Sequence, residues 1–138
     1  HVENGQIVNA TEPSITAQCL RVPCSDGHMA ACFMKFKGEA PSIEQIKADW
    51  ANYVGRAQEL NLPSAPEHYL TYFEEDNRPQ TKLDRNLENG MGVSIGRLRE
   101  DTIFDYKFVS LSHNTLRGAA GGAVLMAELL CAEGYMDR

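Results

Sequence analysis

The chain has 138 residues, 43% of them hydrophobic, and its 13 basic against 19 acidic side chains give a formal charge of −6. That length suits one domain with its own core, and an acidic balance with dispersed Lys and Arg leaves no electrostatic footprint for nucleic acid or an anionic membrane surface. No apolar run approaches the roughly 20 residues that span a bilayer, and HVENGQIVNA has neither the basic nor the apolar region of a secretory signal, so the chain reads as cytoplasmic, and its opening without Met reads as a piece of something longer.

In chain order, residues 14–22 (SITAQCLRV) alternate as a strand does, until Pro23 removes an amide donor. A second strand is expected in HMAACFMKFKG, ending in the alternation Lys35-Phe36-Lys37. Residues 41–60 form the clearest helix, with Ser42 and Gln45 as a capping box and Ile43, Ile46, Trp50, Tyr53, Val54 and Ala57 at helical spacing. EHYLTYFEE reads as a strand and EDNRPQTKLDRNLENG as a long polar loop. MGVSIGRLRE and TIFDYKFVSL read as a strand pair joined at Glu100-Asp101, with Phe104, Tyr106 and Phe108 on one face of the second.

The last element, from His113 to Gly134, has Asn114 or Thr115 as its expected N-cap and an apolar stripe of Leu116, Ala119, Ala120, Ala123, Val124, Ala127, Leu130 and Cys131. Gly118, Gly121 and Gly122 each cost a helix interior about 1 kcal/mol relative to Ala. Either close packing against backbone or a surface for a cofactor or another domain offsets that cost. GAAGG lacks the spacing of a dinucleotide-binding G-x-G-x-x-G turn. The expected architecture is α+β, a mixed sheet of five or six strands with helices packed on it.

Chemistry concentrates in residues 20–33, LRVPCSDGHMAACF. With no CxxC pair and with His28 and His113 far apart, metal-ligand spacing is absent, and Cys19, Cys24, Cys32 and Cys131 suggest no disulfide framework. Cys24 and His28 admit a thiolate–imidazole reading, although catalytic partners of this kind usually meet through the fold rather than at four-residue spacing. Arg21 and His28, seven residues apart, would face opposite ways in one strand, but Pro23 and the Asp26-Gly27 turn can bring both to one sheet edge. There an arginine fork would hold a carboxylate and a histidine would exchange a proton. The alternative is a surface ion pair and an ordinary turn histidine.

RVPCSDGHMAACFMKFKG, ELNLPSAPEHYLTYFEEDNRPQTKLDR, GMGVSIGRLRED and SHNTLRGAAGGAVLMAELL resemble, over most of the chain, the C-terminal half of the aspartate-semialdehyde dehydrogenase family in its fungal and archaeal branch. The resemblance implies the C-terminal domain of a glyceraldehyde-3-phosphate-dehydrogenase-like two-domain enzyme, with the Rossmann domain outside these residues. Residues 1–112 would be the catalytic, substrate-binding and dimerisation domain and 113–138 a helix that returns to the nucleotide domain. It implies NADPH-dependent conversion of L-4-aspartyl phosphate to L-aspartate 4-semialdehyde, towards lysine, threonine and methionine, by thiolate attack and hydride transfer to the thioester. In the family's R-x6-H motif the arginine grips the substrate carboxylate and the histidine is the acid–base group, which selects Arg21 and His28; Asn114 becomes a contact for NADP. The nucleophile would lie upstream, leaving Cys24 a neighbour and this piece inactive alone. The implied partners are a small-molecule substrate and a second copy of the chain. A related acyl reductase such as malonyl-CoA reductase, and a non-catalytic oligomerisation module, are the alternative functions.

Overall fold

A computed structural model describes residues 2–136. Its elements are β1 (Val2–Glu3), β2 (Gln6–Ile7), β3 (His28–Met34), α1 (Ile43–Ala51), α2 (Arg56–Glu59), β4 (Leu70–Phe73), α3 (Thr81–Asp84), β5 (Val93–Glu100), β6 (Tyr106–Ser112) and α4 (Gly121–Ala132), with a 3-10 turn at Leu87–Gly90 and a π-helical turn at Leu116–Ala120. The main sheet has four strands in the order β3-β6-β5-β4, fewer than expected; β4 and β5 run parallel and the other pairs antiparallel. The mixed α+β architecture is as the sequence implies.

Residues 14–22 are the strand that does not form. They lie exposed without a ladder partner among the described residues, so alternation that needs a neighbouring strand to become structure is left unused. The β5–β6 pairing is the expected hairpin, but the connection runs through residues 101–105 and takes Phe104 out of β6. Asp101 organises it. Its carboxylate pairs with Lys107 at 2.8 Å and accepts from the Ile103 and Phe104 amides at 3.0 and 3.1 Å, and these partners hold it well below the usual carboxylate range.

The expected helix over 41–60 is two helices. Ser42 caps α1 by accepting from the Gln45 amide at 3.1 Å, while the Gln45 side chain turns to Asp49 rather than back to the cap. Asn52 ends α1 by donating both its amide and its carboxamide N–H to the Ala48 carbonyl, and Gln58 accepts from the Gly55 amide to open α2. Both helices still bury their apolar side. Trp50 of α1 stacks on Tyr72 at 6.0 Å between ring centroids and leans on Phe108 at 5.1 Å, and Ala57 of α2 joins Tyr69, Met91 and Leu125 in a buried cluster.

The expected loop over 75–90 holds α3 and the 3-10 turn, and it covers the opposite sheet face. Gly96 makes this possible, because a Cβ there would overlap the Arg78 carbonyl oxygen. The neighbouring bulge in β5 places Arg97 at φ +60°, and Tyr72 accepts from the Leu98 amide that the bulge displaces, at 3.2 Å. The loop is fastened by buried Asp84, whose carboxylate accepts from Arg78 Nε at 2.9 and 3.0 Å and from the Gln80 amide at 2.7 Å. Burial pushes the Asp84 carboxyl up, but the Arg78 and Gln80 hydrogen bonds outweigh it and hold the group below its ordinary value.

A carboxyl depressed in the folded state contributes stability that is complete above its unfolded value near ~4 and is lost as pH falls through the folded value. Asp84→Asn should therefore cost about 1–3 kcal/mol at pH 7 and flatten the fall in the urea midpoint below about pH 5. Equal slopes in variant and wild type would show that Asp84 is not held ionised by its partners.

Candidate functional site

The chain enters β3 through a turn at residues 24–27 that other segments hold on several sides. Gly27 adopts φ +108°, and a Cβ there would come within 3.0 Å of Thr81 and 3.2 Å of Leu111. Its amide donates to Asn114 Oδ1 at 3.0 Å. Arg85, at the end of α3, donates from Nη1 to Ser25 Oγ at 3.0 Å. The Cys24 thiol donates to the Gly27 carbonyl at 3.6 Å. All four cysteines are free.

His28 is the first residue of β3, pairs with Ser112 of β6, and is exposed. Asn114, two residues beyond Ser112, thus stands at the same end of the sheet and is linked to the His28 turn through Gly27. Arg21 lies on the exposed approach to the turn and makes no ion pair among the described residues. The structure brings Asn114 to the turn before His28 through one hydrogen bond to Gly27 and leaves Arg21 unattached to either. Two shallow hollows lie elsewhere, one beside Gln58, Asn61 and Glu67, the other between Pro63–Pro66, Glu88–Asn89 and Gly121.

The start of the terminal helix corrects the expected cap. Neither Asn114 nor Thr115 caps it: the Asn114 oxygen is taken by Gly27, and Thr115 makes no side-chain cap bond. Instead the buried His113 accepts from the Thr115 and Leu116 amides through Nδ1, both at 3.2 Å. A ring nitrogen that accepts two bonds carries no proton, so the proton sits on Nε2. The spacing to the second and third following amides is that of a Ser or Asp cap, and a reading tuned to side-chain oxygens passes over an imidazole that does the same work. Arg85 was also missed, because nothing in TKLDR announces a partner 60 residues upstream.

Beyond the π-helical turn, α4 packs through Leu125, through Gly121, where a Cβ would come within 2.6 Å of Met91 Sδ, and through Glu128, which accepts from the Ser64 amide and hydroxyl at 2.9 and 2.7 Å. Close packing thus accounts for Gly121. Gly118 is open, with only the His113 oxygen within reach of an added Cβ, at 3.6 Å. The apolar stripe from Ala119 through Ala123, Val124 and Ala127 to Cys131 is exposed, while Leu116 at its start lies against Gly90.

The profile of the semialdehyde dehydrogenase dimerisation domain matches residues 1–117, a span that includes Arg21, His28 and Asn114. The chain is 47% identical over 128 residues to aspartate-semialdehyde dehydrogenase of Schizosaccharomyces pombe, covering 91% of this chain and 36% of that protein. To aspartate-semialdehyde dehydrogenase of Archaeoglobus fulgidus it is 40% identical over 130 residues, covering 94% and 36%. Among solved structures it is similar to aspartate semialdehyde dehydrogenase with NADP from Candida albicans, with a TM-score of 0.75 at 41% identity, covering 82% of this chain and 32% of that one. The chain spans about a third of the length of these relatives.

Removing the imidazole cap should loosen the terminal helix at its start. His113→Ala should lower unfolding stability by about 1–2 kcal/mol and speed hydrogen exchange at the Thr115 and Leu116 amides. Unchanged exchange at both would contradict the cap.

Proposed function

The chain belongs to the semialdehyde dehydrogenase dimerisation-domain family, and on that premise we propose that it is the substrate-binding, proton-transferring and dimerising part of an NADP-dependent aspartate-semialdehyde dehydrogenase. The reaction is reduction of L-4-aspartyl phosphate to L-aspartate 4-semialdehyde with release of phosphate. The observation that carries the reading is the exposed imidazole of His28 on a turn held from several sides, within a span that matches the family. Identities of 40–47% to enzymes of that name support the substrate.

His28 is the acid–base group, since imidazole gives and takes a proton near neutral pH. Arg21, with its guanidinium unpaired among the described residues, offers its planar fork to the substrate carboxylate. The thiol nucleophile and the turn that cradles the cofactor pyrophosphate belong, in this reading, to the other two thirds of a protein of the relatives' length. NADPH, when bound, supplies the hydride. The described residues fit the rim of its site: the Asn114 carboxamide is exposed with its NH2 group left to donate, and Gly118 presents open backbone.

The outward stripe of α4 supports the assignment of residues 113–138 to a helix that returns to the nucleotide-binding domain, with 1–112 as the catalytic and dimerisation domain. Association with a second copy is supported by β3, which has a free edge and exposes Met29 and Phe33 at 46% and 56%. A cytoplasmic setting is supported by four free cysteines; no helix among the described residues is long and apolar enough to cross a membrane.

In the full-length protein, His28→Ala should lower kcat by roughly 10²- to 10⁴-fold, while Arg21→Ala should raise KM for the acyl phosphate strongly and Arg21→Lys should not restore it. Wild-type kinetics in Arg21→Lys, or a His28→Ala defect confined to KM, would reverse the roles. Residues 1–138 alone should associate, and a strictly monomeric particle in sedimentation at high concentration would contradict the dimerising role.

A further inference from the structure

We propose that Asn114 is a positioning residue for His28, acting through its side-chain oxygen on the Gly27 amide. The inference rests on the reading above that His28 transfers the proton.

Gly27 directly precedes His28 and stands at φ +108°, in a region open to glycine and closed to most other residues. The ladder to Ser112 holds His28 on its C-terminal side, but on its N-terminal side a residue with that torsional freedom lets the first strand position shift unless something fixes its peptide. Thr81 and Leu111 limit the space around the Gly27 α-carbon, and Arg85 holds Ser25, but neither touches the Gly27 peptide groups. The Cys24 thiol reaches the Gly27 carbonyl only as a weak donor at 3.6 Å. The Asn114 bond, at 3.0 Å and between groups 87 residues apart in sequence, fixes the Gly27 N–H to the segment that follows β6. Because an N–H can only donate, the facing atom of the carboxamide is its oxygen, and the NH2 group points elsewhere. The two ends of Asn114 therefore have separable roles, and only the oxygen sets His28.

The separation can be measured. In the full-length enzyme, kcat is determined at saturating NADPH and acyl phosphate, across pH, for wild type, His28→Gln, Asn114→Ala and Asn114→Asp. Saturation removes any effect on cofactor affinity from the comparison. Asn114→Ala should lose on the order of 10- to 100-fold in kcat, the scale of a misplaced reacting group. Asn114→Asp keeps an acceptor for the Gly27 amide and should recover most of that loss. Its new carboxylate should also move the histidine limb of the kcat profile to higher pH, because a neighbouring negative charge favours the imidazolium. That shift reports only how near position 114 stands to His28; the recovery of kcat in Asn114→Asp over Asn114→Ala is what a merely structural asparagine would not give. Wild-type kcat in Asn114→Ala beside a slow His28→Gln overturns the positioning role alone, as does an Asn114→Asp enzyme as slow as Asn114→Ala. Wild-type kcat in His28→Gln overturns the underlying reading, and this inference with it.

Discussion

Asp84, the last residue of α3, is a carboxylate taken out of water beside β5, and such a burial is tolerated only when strong donors surround it. Arg78 and the Gln80 amide supply them, and the Asp84 carbonyl in turn accepts from the fully buried Ser94 hydroxyl at 3.4 Å. The pair closes residues 78–84 into a compact lid over the sheet, seated where Gly96 leaves room for the Arg78 carbonyl. The same lid carries Thr81 against Gly27 and, one residue past Asp84, Arg85 onto Ser25. A salt bridge on one face of the sheet thereby shapes the turn that presents His28. The guanidinium of Arg78 also lies 4.3 Å over the Phe73 ring, which covers one of its faces while its edge serves Asp84.

The opposite face is closed by aromatic packing at one end and by a mixed apolar cluster at the other. Trp50 seals the Tyr72 and Phe108 end, while Met91, Tyr69, Ala57 and Leu125 seal the other. What stays open is as informative as what is closed. Ile15, Leu20 and Val22 on the approach segment, Met29 and Phe33 on β3, and Val124 and Met126 on α4 are all exposed. Scattered apolar exposure is ordinary, but its concentration on the approach segment, on β3 and on one side of α4 describes surfaces suited to cover. That suits a domain whose family is defined by dimerisation.

Local chemistry was legible in the sequence where a signal and its partner lie close together. The Ser42 cap and the β5–β6 pairing each depend on a few neighbouring residues, and both were readable. The single helix over 41–60 failed because its apolar periodicity runs on through Asn52 and Gly55, whose capping bonds outweigh it. The strand at 14–22 failed for the opposite reason: its pattern is sound, but a strand also needs a ladder partner, which alternation cannot supply. His28, Arg21 and Asn114 were selected by long motifs rather than by spacing. The Gly27–Asn114 and Ser25–Arg85 bonds, spanning 87 and 60 residues, were beyond any local pattern. His113 was hidden because an imidazole cap does not resemble the oxygen caps that sequence rules describe.

The role proposed for Arg21 and His28 is to serve a four-carbon acyl phosphate in an NADP-linked reaction. The most direct test runs the full-length protein in reverse, with aspartate 4-semialdehyde, inorganic phosphate and NADP, while absorbance of the reduced cofactor is followed. The predicted result is reduction of NADP that requires phosphate and is lost in His28→Gln. No reduction under these conditions, together with NADPH oxidation driven by malonyl-CoA in its place, would contradict the claim.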